Sequence, residues 1–216
     1  QSWDNVGLLV GEPEQEVHRV LVALDVTEAV AREAAEKDCQ LIAAHHPVMN
    51  CAWSPVQSIR GDTLQGKLLM ALVRSNVAAI CMHTNLDAAQ GGVNDVLAAR
   101  LGLEQVEKLG DEEGIGRVGT LPASLSDRAF LTLVRDRLKP NGLRFSGGGR
   151  SVQRVAVGGG AGGGLFAPAG EEGVAGVVTP AVKYNHFLTP PPWACSWWTR
   201  DTFQRKTQCA PPSRPI

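Results

Sequence analysis

The chain carries almost no net charge. Its 21 Lys and Arg stand against 22 Asp and Glu, a formal net charge of -1, whereas a surface built for nucleic acid or an anionic membrane needs many clustered cations. Neither partner is expected, although a small nucleotide could still bind locally. Long apolar runs are also missing. No stretch approaches the ~20 residues that span a bilayer, and Gln1-Ser2-Trp3-Asp4-Asn5 does not read as a signal peptide. Beginning on Gln rather than Met, the sequence reads as lacking its natural N-terminus. The five cysteines (Cys39, Cys51, Cys81, Cys195, Cys209) are odd in number and have no C-x-x-C spacing. That argues against a disulfide framework and a thiolate zinc site, and fits a reducing compartment. No repeat of solenoid period is present. What is there is 216 residues with 44% apolar content, enough to bury a core as one large domain or two small lobes.

Residues 20–26 form an apolar run with the look of a buried strand, and Thr27 opens an Ala- and Glu-rich helical stretch to about Lys37. A second strand is expected at Leu41-Ile42-Ala43-Ala44. From Asp62, read as an N-cap, Leu64, Leu68, Leu69, Leu72 and Val73 recur at helical spacing. A third strand follows over 77–82. Gly91-Gly92 leads into a helix through Val93, Val96, Leu97 and Leu101 that stops at Gly102. This β-α-β-α alternation predicts an α/β fold with a mainly parallel sheet covered by helices on both faces. Beyond about Gly110 the rhythm loosens and restarts: Ser126 caps a helix to about Leu138, and 151–157 and 174–178 read as strands. The expectation is two α/β lobes with mainly parallel sheets covered by helices, 1–110 and 111–188, followed by an aberrant tail at 189–216.

Two short segments carry the chemistry. Ala44-His45-His46-Pro47 and His83-Thr84-Asn85-Leu86-Asp87 each begin where an apolar strand ends, and ligands in open α/β sheets gather beyond the carboxyl ends of strands. Adjacent histidines on a regular strand point to opposite faces, so for both to reach one site the backbone must leave β geometry after His45. Pro47 favours an extended conformation at His46 and ends the strand. Imidazole nitrogen and carboxylate oxygen suit Zn, Fe, Mn or Ni without choosing among them. His45, His46 and Asp87 give three candidate ligands, and a carboxylate can bridge two ions about 3.5–4 Å apart. His83 is a ligand, a support that orients Asp87, or a proton carrier. His18, in a charged stretch before the first strand, reads as solvated.

Gly158-x-Gly160-x-x-Gly163 after the strand at 151–157 formally matches the dinucleotide fingerprint. The acidic residue that should end the next strand is absent, Glu171 and Glu172 coming before it, so the better reading is a tight turn with a close helix approach.

With these residues in place, the chain resembles the Ngg-interacting-factor-three-like family, also named GTP cyclohydrolase I type 2. The resemblance is carried by Trp3-Asp4-Asn5-Val6-Gly7-Leu8-Leu9-Val10-Gly11, Ala44-His45-His46-Pro47, His83-Thr84-Asn85-Leu86-Asp87-Ala88-Ala89 and Gly91-Gly92-Val93-Asn94-Asp95. Gly158-Gly159-Gly160-Ala161-Gly162 and Lys183-Tyr184-Asn185-His186 extend it. It implies a two-lobed α/β fold without an inserted middle domain, a dinuclear centre of two divalent ions, and a ring-shaped homohexamer in the cytoplasm. It places ligands on His45, His46 and Asp87. The activity implied is that of a metal-dependent hydrolase acting on a nucleotide or related phosphorylated small molecule; the alternative is a non-catalytic metal-binding interaction or regulatory protein.

One departure stands out. The family takes its remaining ligands from a late Gly-His-x-x-Ser/Thr-Glu motif, and none follows His186; as written, the centre is incomplete. The Pro- and Trp-rich text from Thr189 has neither helical nor strand period. If one base were lost after the Leu188 codon, the restored frame can read Asp-Ala-Ala-Ala-Leu-Gly-Leu-Phe-Val-Val-Asp-Ala-Gly-His-Phe-Pro-Thr-Glu-Asn-Pro: a helix, a buried strand and the missing motif. Residues 189–216 are therefore expected to be a frameshifted terminus. Its Pro-rich text would leave a sheet edge exposed and lower solubility.

Overall fold

The computed structural model describes residues 4–49, 55–110, 114–146, 149, 151–160 and 162–181, and the backbone of 195–199. The chain divides into two compact units, 1–86 and 87–216.

In the first unit, β1 (Gly7–Val10), β2 (Val20–Ala23), β3 (Leu41–Ala44) and β4 (Ala78–Cys81) form one sheet in the order β1-β4-β3-β2. β2, β3 and β4 are parallel, and β1 lies antiparallel on the β4 edge. The two parallel crossovers are α1 (Glu28–Glu36) and α2 (Leu64–Arg74). Thr27 caps α1, its hydroxyl accepting from Val30 N at 3.2 Å. The cap of α2 is Thr63, which accepts from Gly66 N at 3.1 Å. Asp62, the expected cap, instead pairs with Arg60.

The helices α1 and α2 pack on each other as well as on the sheet, so they share one face. Ala31, Ala34, Ile42, Leu68, Leu69, Leu72 and Ala79 are buried between these layers. On the opposite face, where helices are also expected, Val22 on β2 is 73% exposed and Val20 48%. Successive same-direction crossovers, both right-handed, put their helices on one side of a sheet.

The short helix α3 (Thr84–Ala88) follows β4, and the division between units falls within it, between Leu86 and Asp87. The second unit continues with α4 (Val93–Leu101), β5 (Glu104–Lys108), β6 (Arg117–Leu125), α5 (Asp127–Leu138), β7 (Leu143–Ser146), β8 (Val152–Val157), α6 (Phe166–Glu171), β9 (Gly176–Thr179) and β10 (Cys195–Thr199). α4 ends as expected on Gly102, at φ 73°, a left-handed conformation that costs glycine little. Ser126 caps α5, accepting from Ala129 N at 3.4 Å.

The lobe boundary sits at 86/87 rather than 110. Leu97, Ala98 and Leu101 of α4 are buried in the same core as Phe130, Val134 and Leu138 of α5 and Val152, Val155 and Val157 of β8. Hydrophobic burial therefore assigns α4 to the second unit.

The second sheet runs β5-β6-β8-β9-β10-β7 and is mixed, not mainly parallel. β5–β6, β6–β8 and β10–β7 are antiparallel, whereas β8–β9 and β9–β10 are parallel. The connection from β5 to β6 is too short for the dozen or more residues of a parallel crossover. Helices cover both faces here: α4 and α5 on one, and α6 on the other, where Phe166 and Ala169 pack with Val118, Ala156 and Val177.

The reading of the tail as lacking strand structure is corrected at 195–199. This segment forms β10 between β9 and β7, since backbone pairing with two neighbours is available to any extended segment, and Trp and Thr suit a pleated surface. The rest of 189–216, with His186 and the Lys183-Tyr184 pair, lies outside the described residues.

The glycine-rich segment that carries the fingerprint forms a tight turn and a close approach, at Gly158 of the fingerprint and at Gly162 beside it. A Cβ at Gly158 would come within 2.5 Å of Leu165 Cδ1, and one at Gly162 within 2.0 Å of Thr179 Oγ1. Glycine here lets a 3-10 turn (Gly162–Leu165) pack onto the sheet.

Candidate metal centre

β3 and β4 are parallel neighbours with Ala44 opposite Cys81, and β2 pairs with β3 so that Ala23 lies opposite Ala44. The residues just past these three partners therefore emerge at one end of the sheet: Asp25, His45, His46 and His83. The backbone bends immediately after Ala44, one residue earlier than expected. The amides of both His45 and His46 donate to a single acceptor, Leu24 O, at 3.2 and 3.0 Å, which no regular ladder permits. The bend is fixed from the other side by Cys81, whose Sγ donates to His45 O at 3.0 Å.

The three imidazoles meet. Ring centroids are 5.0 Å apart for His45–His46, 5.1 Å for His45–His83 and 5.6 Å for His46–His83, all edge-to-face. One nitrogen from each lies within 4.8 Å of the others. His45 is 7% exposed, and His46 and His83 are partly buried. His83 thus joins the two expected ligand histidines on equal terms. His18, by contrast, is exposed and pairs with the exposed Glu16 at 3.3 Å.

Two carboxylates stand behind the cluster. Asp25 Oδ1 lies 2.6 Å from His46 Nδ1, and Asp4 Oδ1 lies 2.8 Å from His83 Nδ1. A carboxylate at Nδ1 makes that nitrogen the proton donor and puts the lone pair on Nε2. Asp4 is itself locked: its Oδ2 accepts from the Thr84 hydroxyl at 2.6 Å and from the Thr84 amide at 3.1 Å. Burial pushes the Asp4 carboxyl up, but the hydrogen bonds from Thr84 and His83 and the charge of His83 outweigh it and lower it to about 2. Asp4 is therefore an anion at any ordinary pH.

The sequence reading missed Asp4, Asp25 and Thr84. A signal existed for Asp25, the first charged residue after the apolar run through Leu24. Asp4 lies inside the first motif of the resemblance, where its role has no local signature.

Asp87, the remaining expected ligand, is the first residue of the second unit. It is 4% exposed, and its carbonyl accepts from Asn94 Nδ2 at 3.1 Å. Among the described residues, the group with ligand atoms within 4.8 Å of one another is His45, His46 and His83, all of them in the first unit.

Three imidazoles with converging nitrogens, two of them held in one tautomer by a buried carboxylate, Asp4, and an exposed one, Asp25, are a donor set suited to a divalent transition ion. Among the described residues this is the one group with that property.

The family model described as Duf34/NIF3 (NGG1p interacting factor 3) matches residues 1–190. A Clostridium perfringens protein named GTP cyclohydrolase 1 type 2 homolog is 32% identical over 195 residues, covering 88% of this chain and 73% of the relative. Among solved structures, the Staphylococcus aureus hypothetical protein SA1388 superposes with a TM-score of 0.83 at 26% identity, covering 95% of this chain and 81% of that one. A Bacillus cereus protein related to NIF3 shares the fold at TM-score 0.84 and 22% identity, over 97% and 85%.

Proposed function

Since the chain belongs to the Duf34/NIF3 (NGG1p interacting factor 3) family, we propose that it is a metal-dependent hydrolase acting on a nucleotide or related phosphorylated small molecule. His45, His46 and His83 hold the metal, and Asp87 contributes a carboxylate. The observation that carries this reading is the convergence of three imidazole nitrogens within 4.8 Å with carboxylates behind two of them. Divalent ions bound there would supply Lewis acidity and lower the pKa of water toward neutrality. Asp25 and Asp4 would fix the rings of His46 and His83. The name of the Clostridium relative supports a nucleotide as the substrate class.

The proposal extends to the tail. A dinuclear centre needs more ligands than the described residues bring together, and a frame restored after the Leu188 codon would supply them. Two observations favour that reading: the family match stops at residue 190, and the restored Leu-Phe-Val-Val falls on positions 195–198, inside β10 (Cys195–Thr199). Repeated sequencing of the gene across the Leu188 codon tests it, and an intact single frame would rule it out. A homohexameric ring and a cytoplasmic location complete the proposal.

The functional test is turnover of a nucleotide panel, GTP included, by metal-loaded protein carrying the restored terminus. Hydrolysis that disappears in His45→Ala and Asp87→Ala supports the enzyme. Metal binding without any turnover would favour the non-catalytic interaction protein.

A further inference from the structure

Asp87 sits in a helix that cannot hold itself. α3 has five residues, fewer than a helix needs to persist on local hydrogen bonds, and its last carbonyls have no partners of their own within the helix. The second unit supplies those partners from buried side chains. The Arg117 guanidinium donates to Ala88 O at 2.8 Å and Ala89 O at 3.1 Å. Its other nitrogens reach Ile115 O at 3.2 Å, Gly116 O at 3.1 Å and the Asp95 carboxylate. Asp95 in turn accepts from Gly91 N at 2.6 Å. Asn94, with no exposed surface, donates to Asp87 O at 3.1 Å and Ile115 O at 2.8 Å, and accepts from Gly159 N at 2.7 Å.

Three of these bonds end on the carbonyls of residues 87–89, and the others hold Arg117 and Asn94 in place or tie the turn at Gly91; together they form the bracket that carries Asp87. Arg117 is 3% exposed. A guanidinium is costly to bury unless its donors are used, and here it spends them on the carbonyl end of α3, where a cation is favoured. A hydrophobic side chain filling the same volume would leave those carbonyls without their donor.

The geometry points to Arg117 and Asn94 as positioning residues that set the orientation of Asp87 as a metal ligand. This rests on the proposed ligand role of Asp87, and the experiment separates the two. Zinc affinity of the full chain is measured by titration calorimetry for Arg117→Lys, which keeps the charge but loses the fork, and for Asn94→Asp, which keeps the shape and the acceptor for Gly159 but loses both donors. Hydrogen exchange at the Gly91 and Gly92 amides is read in the same variants.

We expect a loss of zinc affinity of about 10- to 100-fold in each, no further loss when Arg117→Lys is added to Asp87→Ala, and exchange at Gly91 and Gly92 at least about tenfold faster while β8 keeps its protection. Native affinity in Arg117→Lys, or losses that add to that of Asp87→Ala, would overturn the positioning role. If Asp87→Ala alone keeps full affinity, or no variant binds zinc, the ligand reading fails. The bracket is then judged on exchange alone: a local increase upholds it as the device that orders Asp87, and unchanged exchange overturns it.

Discussion

A carboxylate lies behind each of two histidines: Asp25 behind His46 and Asp4 behind His83. Removing such a carboxylate leaves the imidazole in place but frees its tautomer and tilt. Asp25→Asn should therefore weaken zinc binding by about 10- to 100-fold with unchanged circular dichroism; an unchanged affinity would mean that Asp25 is only a surface partner of His46. Asp4 makes a second, independent prediction. Its carboxyl is lowered from 3.8 to about 2 in the fold, so the unfolded chain binds its proton first, and the stabilisation is present above about pH 4 and lost as pH falls through about 2. The shift corresponds to about 2 kcal/mol at neutral pH. Urea unfolding of Asp4→Asn should show about that loss at pH 7 and a flatter dependence on pH between 4 and 2.

At the level of elements, α5 anchors the second core through Phe130, Val134 and Leu138, spaced four apart and all essentially buried. Phe130→Ala should cost about 3–5 kcal/mol in denaturant unfolding while leaving the histidine cluster in the first unit able to bind zinc. Elements with local signatures were legible in the sequence: α1 from the Thr27 cap, β3 from its four apolar residues, α4 from Gly102, α5 from Ser126. β5 was not, because Glu104-Gln105-Val106-Glu107-Lys108 is exposed at every position and an edge strand that faces water has no apolar alternation to read. β10 was hidden for a different reason: its pairing comes from β9 and β7, not from its own pattern. The site divides in the same way. Histidines at strand ends announce themselves, whereas Asp4 meets His83 across 79 positions of chain, and nothing short-range marks that pairing.

For the whole molecule, the proposed shift of frame makes the terminus the part that decides how much of a centre can form. Protein with the restored reading after Leu188 should be more soluble and bind more metal per chain than the chain as written, and should sediment as a hexamer; equal solubility and metal content in the two would remove the reason to invoke a shifted frame. The central claim is narrower and concerns residues this chain already has. Crystals grown with zinc and measured for anomalous scattering test it directly: we predict a peak about 2.0–2.1 Å from nitrogens of His45, His46 and His83, lost in His45→Ala. A zinc-loaded crystal with no peak at these three imidazoles would contradict it.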